Sequence, residues 1–231
     1  MTNPATDGGF AVVEMFTSQG CNSCLPAEEL LSELERDARV RGQNVFALGF
    51  HVDYWDDLGW PDQFADPAYT ARQEAYARAF GSEGLYTPQM VVNGTVEFVG
   101  SDRRRAAGAI MSAMSSTATA PLTLSMADGG GHRVLLDYRV EHPPAGAVVN
   151  VAIVERGLDS EIARGENAGR TLRQDNVVRA YASVGLDAER GQVQLVTPPD
   201  LDPRNAAVVG YVQENGNRAI VGATAIELST A

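Results

Sequence analysis

The chain has two cysteines, Cys21 and Cys24, in the tetrapeptide Cys21-Asn22-Ser23-Cys24. A pair at this spacing can perform thiol–disulfide exchange. One thiolate attacks a partner disulfide, and the other, about one helical turn later, attacks the mixed disulfide and closes the ring. The pair falls between a short apolar run and a helical pattern. A thiolate on Cys21 would then meet the unpaired N–H groups and positive dipole end of the helix, which lower its pKa below the free value of about 8.5. Cys21 is therefore the expected nucleophile and Cys24 the expected resolving residue. Two other readings exist. The pair could be half a zinc site, but with no third cysteine the remaining ligands would have to be His51 or carboxylates; or it could be two inert buried thiols.

The elements that position this pair follow from the hydrophobic pattern. Ala11 to Phe16 (AVVEMF) and Val45 to Phe50 (VFALGF) are nearly continuous apolar runs, as in strands covered on both faces. Between them Ala27, Leu30, Leu31, Leu34 and Ala38 recur at helical spacing, with Pro26 acceptable in a first turn and Gly42 as a stop. A second helix is expected from Asp66 as N-cap and Pro67 at the first position to Gly81. Gln89 to Val92 and Thr95 to Val99 flank Asn93-Gly94, a two-residue hairpin signal because both turn positions need positive φ. Ser101 or Asp102 can cap a last helix through Met111 and Met114, after which Ser115 to Ala120 and Pro121 read as a linker.

Beyond the linker come LTLSM, RVLLDYRV, VVNVAIV, VVRAYASV, QVQLVTP, AAVVGYVQ and AIVGATAIEL, separated by turn residues at spacings typical of an antiparallel β-sandwich. The expected layout is an α/β domain over 1–118 and an all-β antiparallel sandwich over 119–231. One polar excursion, Glu155 to Asn176, exceeds ordinary loop lengths. It could return to the cysteine pair, bind an anionic ligand or be a solvated loop.

His51 should emerge at the C-terminal end of its strand, the edge where α/β sheets place their sites, where it either faces Cys21 or is simply hydrogen-bonded in a loop. There an imidazole could shuttle a proton, stabilise a thiolate or give copper a nitrogen ligand beside two sulfurs. After it runs VDYWDDLGWPDQFAD with both tryptophans, Trp55 and Trp60, and five aspartates. This segment forms either a wall over the cysteines or a packed insertion.

The segments VEMFTSQGCNSC, HVDYWDDLGW, YTPQMVVNG and GENAGRTL resemble a bacterial thioredoxin-like family of unassigned function whose members are often exported. The resemblance spans nearly the whole chain. It implies a thioredoxin-like first domain, a redox role, and a cis Thr87-Pro88 bond facing the cysteines and shaping the partner groove. Ordinary thioredoxins have Gly-Pro between the cysteines, where this chain has Asn22-Ser23. They also carry a buried acid on the preceding strand, which helps deprotonate the resolving cysteine. Glu14 is similar but one residue farther from Cys21, and on a strand one residue changes the face. Glu14 is thus a candidate proton acceptor only if a bulge or a longer turn restores its direction, and otherwise a structural carboxylate.

Composition narrows the classes. The 231 residues carry a formal charge of −12, which opposes affinity for nucleic acid. All 18 basic residues are arginine, which removes Schiff-base chemistry and the P-loop lysine. No apolar stretch is long enough for a membrane span. The first residues (MTNPATD) lack the pattern of a secretory signal, so the expectation is cytoplasmic as the chain stands, and periplasmic if a signal was trimmed. The sequence reading is a thiol–disulfide oxidoreductase acting on a protein or small-thiol partner without an organic cofactor. The alternatives are a copper-delivery protein using Cys21, Cys24 and His51, and a non-catalytic binding module.

Overall fold

A computed structural model describes residues 2–3, 8–127 and 131–228. The elements in chain order begin with a short strand β1 (Thr2–Asn3), then β2 (Ala11–Thr17), α1 (Leu25–Arg41), β3 (Val45–His51) and α2 (Pro67–Phe80). Strands β4 (Gln89–Val92) and β5 (Val96–Val99) form the expected hairpin, and α3 (Arg103–Met114) follows. The second half adds β6 (Leu122–Ala127), β7 (Arg133–Val140), β8 (Ala147–Glu155), β9 (Leu158–Glu161), β10 (Thr171–Gln174) and β11 (Val177–Gly185). It ends with β12 (Arg190–Val196), β13 (Ala206–Glu214) and β14 (Ile220–Glu227).

Local chemistry accounts for the helix ends. The Asp66 side chain accepts from the Ala68 N–H, with Pro67 in the first turn, and Asp102 accepts from the Arg105 N–H, so two helices start at capping aspartates. Gly42 and Gly81 close α1 and α2 in the left-handed conformation, donating their N–H groups back to the last turn. Asn93 and Gly94 both have positive φ at the β4–β5 turn.

The architecture is mixed α/β, built on one eight-stranded mixed sheet of order β14-β13-β8-β11-β3-β2-β4-β5. The antiparallel strands expected after the linker are present. Four of them, β8, β11, β13 and β14, continue the sheet begun by β2 and β3. The junction is narrow: β11 runs parallel to β3 through the pairing of Val177 with Gly49, and the Gly49 N–H donates to the Asn176 carbonyl at 2.7 Å. A Cβ on Gly49 would lie 3.3 Å from that carbonyl oxygen, so glycine lets the two backbones meet. A four-stranded antiparallel sheet, β1-β6-β7-β12, faces β8 and β13 across a core that includes Leu122, Leu136, Val151 and Val208.

Strand alternation sorts the side chains around β2 and β3. Val13, Met15 and Ala47 pack with Leu30 and Leu31 of α1 and Ala106 of α3, whereas Val12, Phe16, Leu48 and Phe50 pack with Tyr69 and Tyr76 of α2. Trimming a buried leucine such as Leu31 to alanine would cost about 2–5 kcal/mol. The α1 face therefore holds the cysteine-bearing helix firmly against the carboxyl ends of β2 and β3. Among the described residues no helix is long and apolar enough to cross a membrane.

Candidate functional site

After β2 the chain turns through Ser18 to Gly20, and the Cys21 N–H donates to the Ser18 carbonyl at 3.0 Å. A single 3-10 turn, Asn22–Cys24, leads into α1. Cys21 and Cys24 are joined in a disulfide with Cα atoms 5.4 Å apart, and both residues are completely buried. The Thr87 hydroxyl donates to the Cys21 sulfur at 3.4 Å, the Ser23 hydroxyl lies 3.3 Å from that sulfur, and the Trp55 indole N–H donates to Thr87 Oγ1 at 2.9 Å. The Thr87–Pro88 bond is cis. Two hydroxyls thus converge on one sulfur just before the turn that leads into α1, an arrangement that favours a thiolate there once the bond is reduced.

An acid–base cluster lies at the ends of β2 and β3. Thr17 and His51 are register partners at the ends of β2 and β3. His51 is buried, and its Nδ1 lies 2.6 Å from Asp62 Oδ2, which also accepts the Gln19 N–H at 2.7 Å. Burial disfavours the imidazolium, but the charge of Asp62, its hydrogen bond and the charge of Glu28 outweigh this and raise the His51 pKa above its ordinary value. Burial also opposes the Asp62 carboxylate, yet His51 holds its pKa below the usual range. Glu28 stands four residues after Cys24, hence one turn along the same helix face. Its Oε1 accepts the Thr17 hydroxyl at 2.6 Å, and burial raises its pKa against the opposing pull of His51.

Glu14 does not belong to this cluster, which corrects its candidacy as a proton acceptor. Strand β2 pairs with β3 residue for residue without a bulge, so Glu14 points to the α2 face, away from α1. There it accepts from Arg72 Nε at 2.7 Å, from Tyr211 at 3.1 Å and from the Tyr76 hydroxyl. It is a structural carboxylate. The two sulfurs are bonded to each other, His51 is engaged by Asp62, and among the described residues no three His, Cys, Asp or Glu side chains converge as metal donors.

The polar excursion returns to the cysteine loop. Strands β9 and β10 pair as an isolated antiparallel hairpin. Gln19 Nε2 donates to Ser160 Oγ at 2.9 Å and to Gln174 Oε1 at 2.8 Å, and Asn167 Nδ2 donates to the Gln19 carbonyl at 2.8 Å. The Asn22 N–H donates to Glu166 Oε2 at 3.1 Å. Trp60 donates to Gln19 Oε1 at 3.0 Å and packs on Gly165, while Trp55 packs on Gly20, so the two tryptophans wall the site.

Of the residues singled out in the sequence, the structure brings Thr87 to the Cys21–Cys24 bond, with Pro88 next to it in a cis peptide, and pairs His51 with Asp62. Sequence reasoning missed Glu28, Asp62 as the partner of His51, and Gln19 as the anchor of the distant segment. Only Glu28 carried a signal, its i, i+4 relation to Cys24.

The sequence profile of a protein family of unknown function, DUF1223, matches residues 12–213. A protein from Agrobacterium tumefaciens with an X-ray crystal structure is 30% identical and superposes with a TM-score of 0.70, over 98% of each chain. No curated protein matches the chain significantly.

Proposed function

The chain belongs to the DUF1223 family, whose function is unknown, and from its own site we propose that it is a thiol–disulfide redox protein. It cycles Cys21 and Cys24 between dithiol and disulfide with a protein or small-thiol partner. The observation that carries this reading is the convergence of the Thr87 and Ser23 hydroxyls on the Cys21 sulfur, just before the turn that leads into α1. The order of β2, cysteine loop, α1, β3, α2, Pro88-led hairpin and α3 supports a thioredoxin-like scaffold for this part of the chain.

The chemistry follows from the positions. In the dithiol, the Cys21 thiolate attacks one sulfur of a partner disulfide, forming a mixed disulfide and expelling a partner thiolate that takes a proton from water. The Cys24 thiol passes its proton to the Glu28 carboxylate one turn away and attacks the Cys21 sulfur. The Cys21–Cys24 bond forms and the second partner thiolate leaves, so the two electrons move to the partner. The reverse sequence oxidises a dithiol partner, with Glu28 returning the proton to Cys24. The His51 charge favours the Glu28 carboxylate against burial and the like charge of Asp62.

Mass spectrometry of Cys24→Ser and Cys21→Ser variants incubated with a mixture of small disulfides tests this. The Cys24→Ser protein should accumulate a mixed disulfide on Cys21, and Cys21→Ser should not react at comparable rate. Equal reactivity of the two variants would remove the assignment.

A further inference from the structure

We propose that the β9–β10 hairpin is a hinged lid that must lift before the Cys21–Cys24 bond meets any reductant or partner. The purpose of the lid rests on the redox reading; its geometry does not.

The first observation is closure. Both cysteines are completely buried, and the hairpin tip touches the chain on either side of Cys21, through Asn167 on the Gln19 carbonyl and Glu166 on the Asn22 N–H. A thiolate or phosphine must approach a sulfur along the S–S axis. With no exposed sulfur surface, exchange requires movement.

The second observation is how the hairpin is attached. Among the described residues its strands pair only with each other, and the backbone hydrogen bonds of the tip, such as Ile162 to Arg170 and Gly169 to Ile162, are internal. Among the described residues the hydrogen bonds that join 158–174 to the body run through side chains: three through Gln19, one from Gln63 to Ser160 and one from the Asn22 N–H to Glu166. The unit can therefore leave intact, without breaking a sheet ladder. Ile162 and Leu172 are buried and favour its return.

The third observation is the base and what lies beneath. Gly157 and Asn176, which bracket the hairpin, both have positive φ, at 71° and 60°. A groove of about 690 Å³ separates α1 from the β10 side, bounded by Glu28, Arg36, Arg170 and Arg173 among others. Among the described residues Asn167 Oδ1 and Asn176 Nδ2 are buried without hydrogen-bond partners, so the closed state leaves polar groups unsatisfied at both the tip and the hinge. A segment closed by few side-chain bonds, and under-satisfied when closed, is poised to open below the cost of global unfolding.

The oxidised protein, treated with a water-soluble phosphine under pseudo-first-order conditions, reports the opening directly. The phosphine takes up oxygen from water as the S–S bond is reduced to two thiols, so no thiol partner is needed. The wild-type bond should react far more slowly than that of oxidised glutathione. Asn167→Ala and Glu166→Ala should each accelerate it about fivefold, the effect of one lost hydrogen bond. Val149→Ala, which weakens the distant core between the two sheets, separates lid opening from global unfolding: it should leave the rate unchanged. Wild-type reduction as fast as that of oxidised glutathione, no acceleration in the tip variants, or acceleration in Val149→Ala matching its loss of global stability would each overturn the lid. A parallel glutathione titration keeps the two claims apart. Gated phosphine kinetics with a bond that glutathione cannot reduce would keep the lid and remove the redox role; ungated kinetics with a glutathione-active pair would do the reverse.

Discussion

Replacing Thr87 by valine keeps the shape of the side chain and deletes one of the two hydroxyls that reach the Cys21 sulfur, the one at 3.4 Å. A hydrogen bond to a charged group contributes about 1.5–3 kcal/mol, and a long contact to sulfur belongs at the low end of that range. Since about 1.4 kcal/mol is one pKa unit, the Cys21 thiolate pKa should rise by about one unit. The thiolate belongs to the reduced form, so the couple should also become more reducing, by about 30 mV, the two-electron equivalent of the same energy. The ultraviolet absorbance of the thiolate, followed against pH in a Cys24→Ser background where one thiol titrates, reads the shift without requiring access to the sulfur. Thr87→Ser should restore the wild-type value. Trp55→Phe, which frees the Thr87 hydroxyl from the indole N–H 2.9 Å away, should move the pKa by a smaller amount. An unchanged pKa in folded Thr87→Val would refute the claim that this hydroxyl stabilises the thiolate.

Glu28→Gln should slow the resolving attack of Cys24 on a mixed disulfide by about a hundredfold, as loss of a positioned base does; stopped-flow release of the partner thiol measures it. Burial raises the Glu28 pKa, so the folded state binds its proton more tightly and loses stability as pH rises from the unfolded toward the folded value. Glu28→Gln should therefore raise the melting temperature at alkaline pH. The raised His51 pKa gives stability that is fully present below the unfolded value of about 6.5 and is lost as pH climbs through the folded one. The depressed Asp62 pKa gives stability present above about 3.9 and lost as pH falls through its folded value. Asp62→Asn should flatten both limbs of the melting temperature against pH, and His51→Ala, which strands a buried carboxylate, should cost about 3–5 kcal/mol in denaturant titration. Arg72→Met should destabilise by a similar amount through Glu14 while leaving the Cys21 pKa unmoved, since that ion pair lies on the α2 face.

The parts of this molecule that were legible in its sequence are those decided within one turn or one hairpin. Asp66-Pro67, Gly42, Gly81 and Asn93-Gly94 act through their own backbone conformations, and each sits where its chemistry required. The cysteine loop was legible for the same reason. The continuation of the sheet from β3 into β11 was not, because a single pairing of Val177 with Gly49 joins segments distant in sequence and leaves no periodic trace. Strands β9 and β10 (LDSE and TLRQ) hid in the polar excursion because their only apolar anchors are Leu158 and Leu172. Glu28 read as one acid among several on a charged helix, and Asp62 as one of five aspartates; only the fold shows which of them meet His51 and Thr17. Glu14 misled because its residue type fits the role while its parity on the strand does not.

The central claim is that Cys21 and Cys24 form a reversible redox couple. Equilibrating the protein in glutathione buffers and counting free thiols by alkylation and mass tests it most directly. The account predicts a two-thiol transition at a potential above about −300 mV, within the range of cellular exchange proteins. A bond that stays closed in every such buffer, down to potentials where only structural disulfides survive, would contradict it.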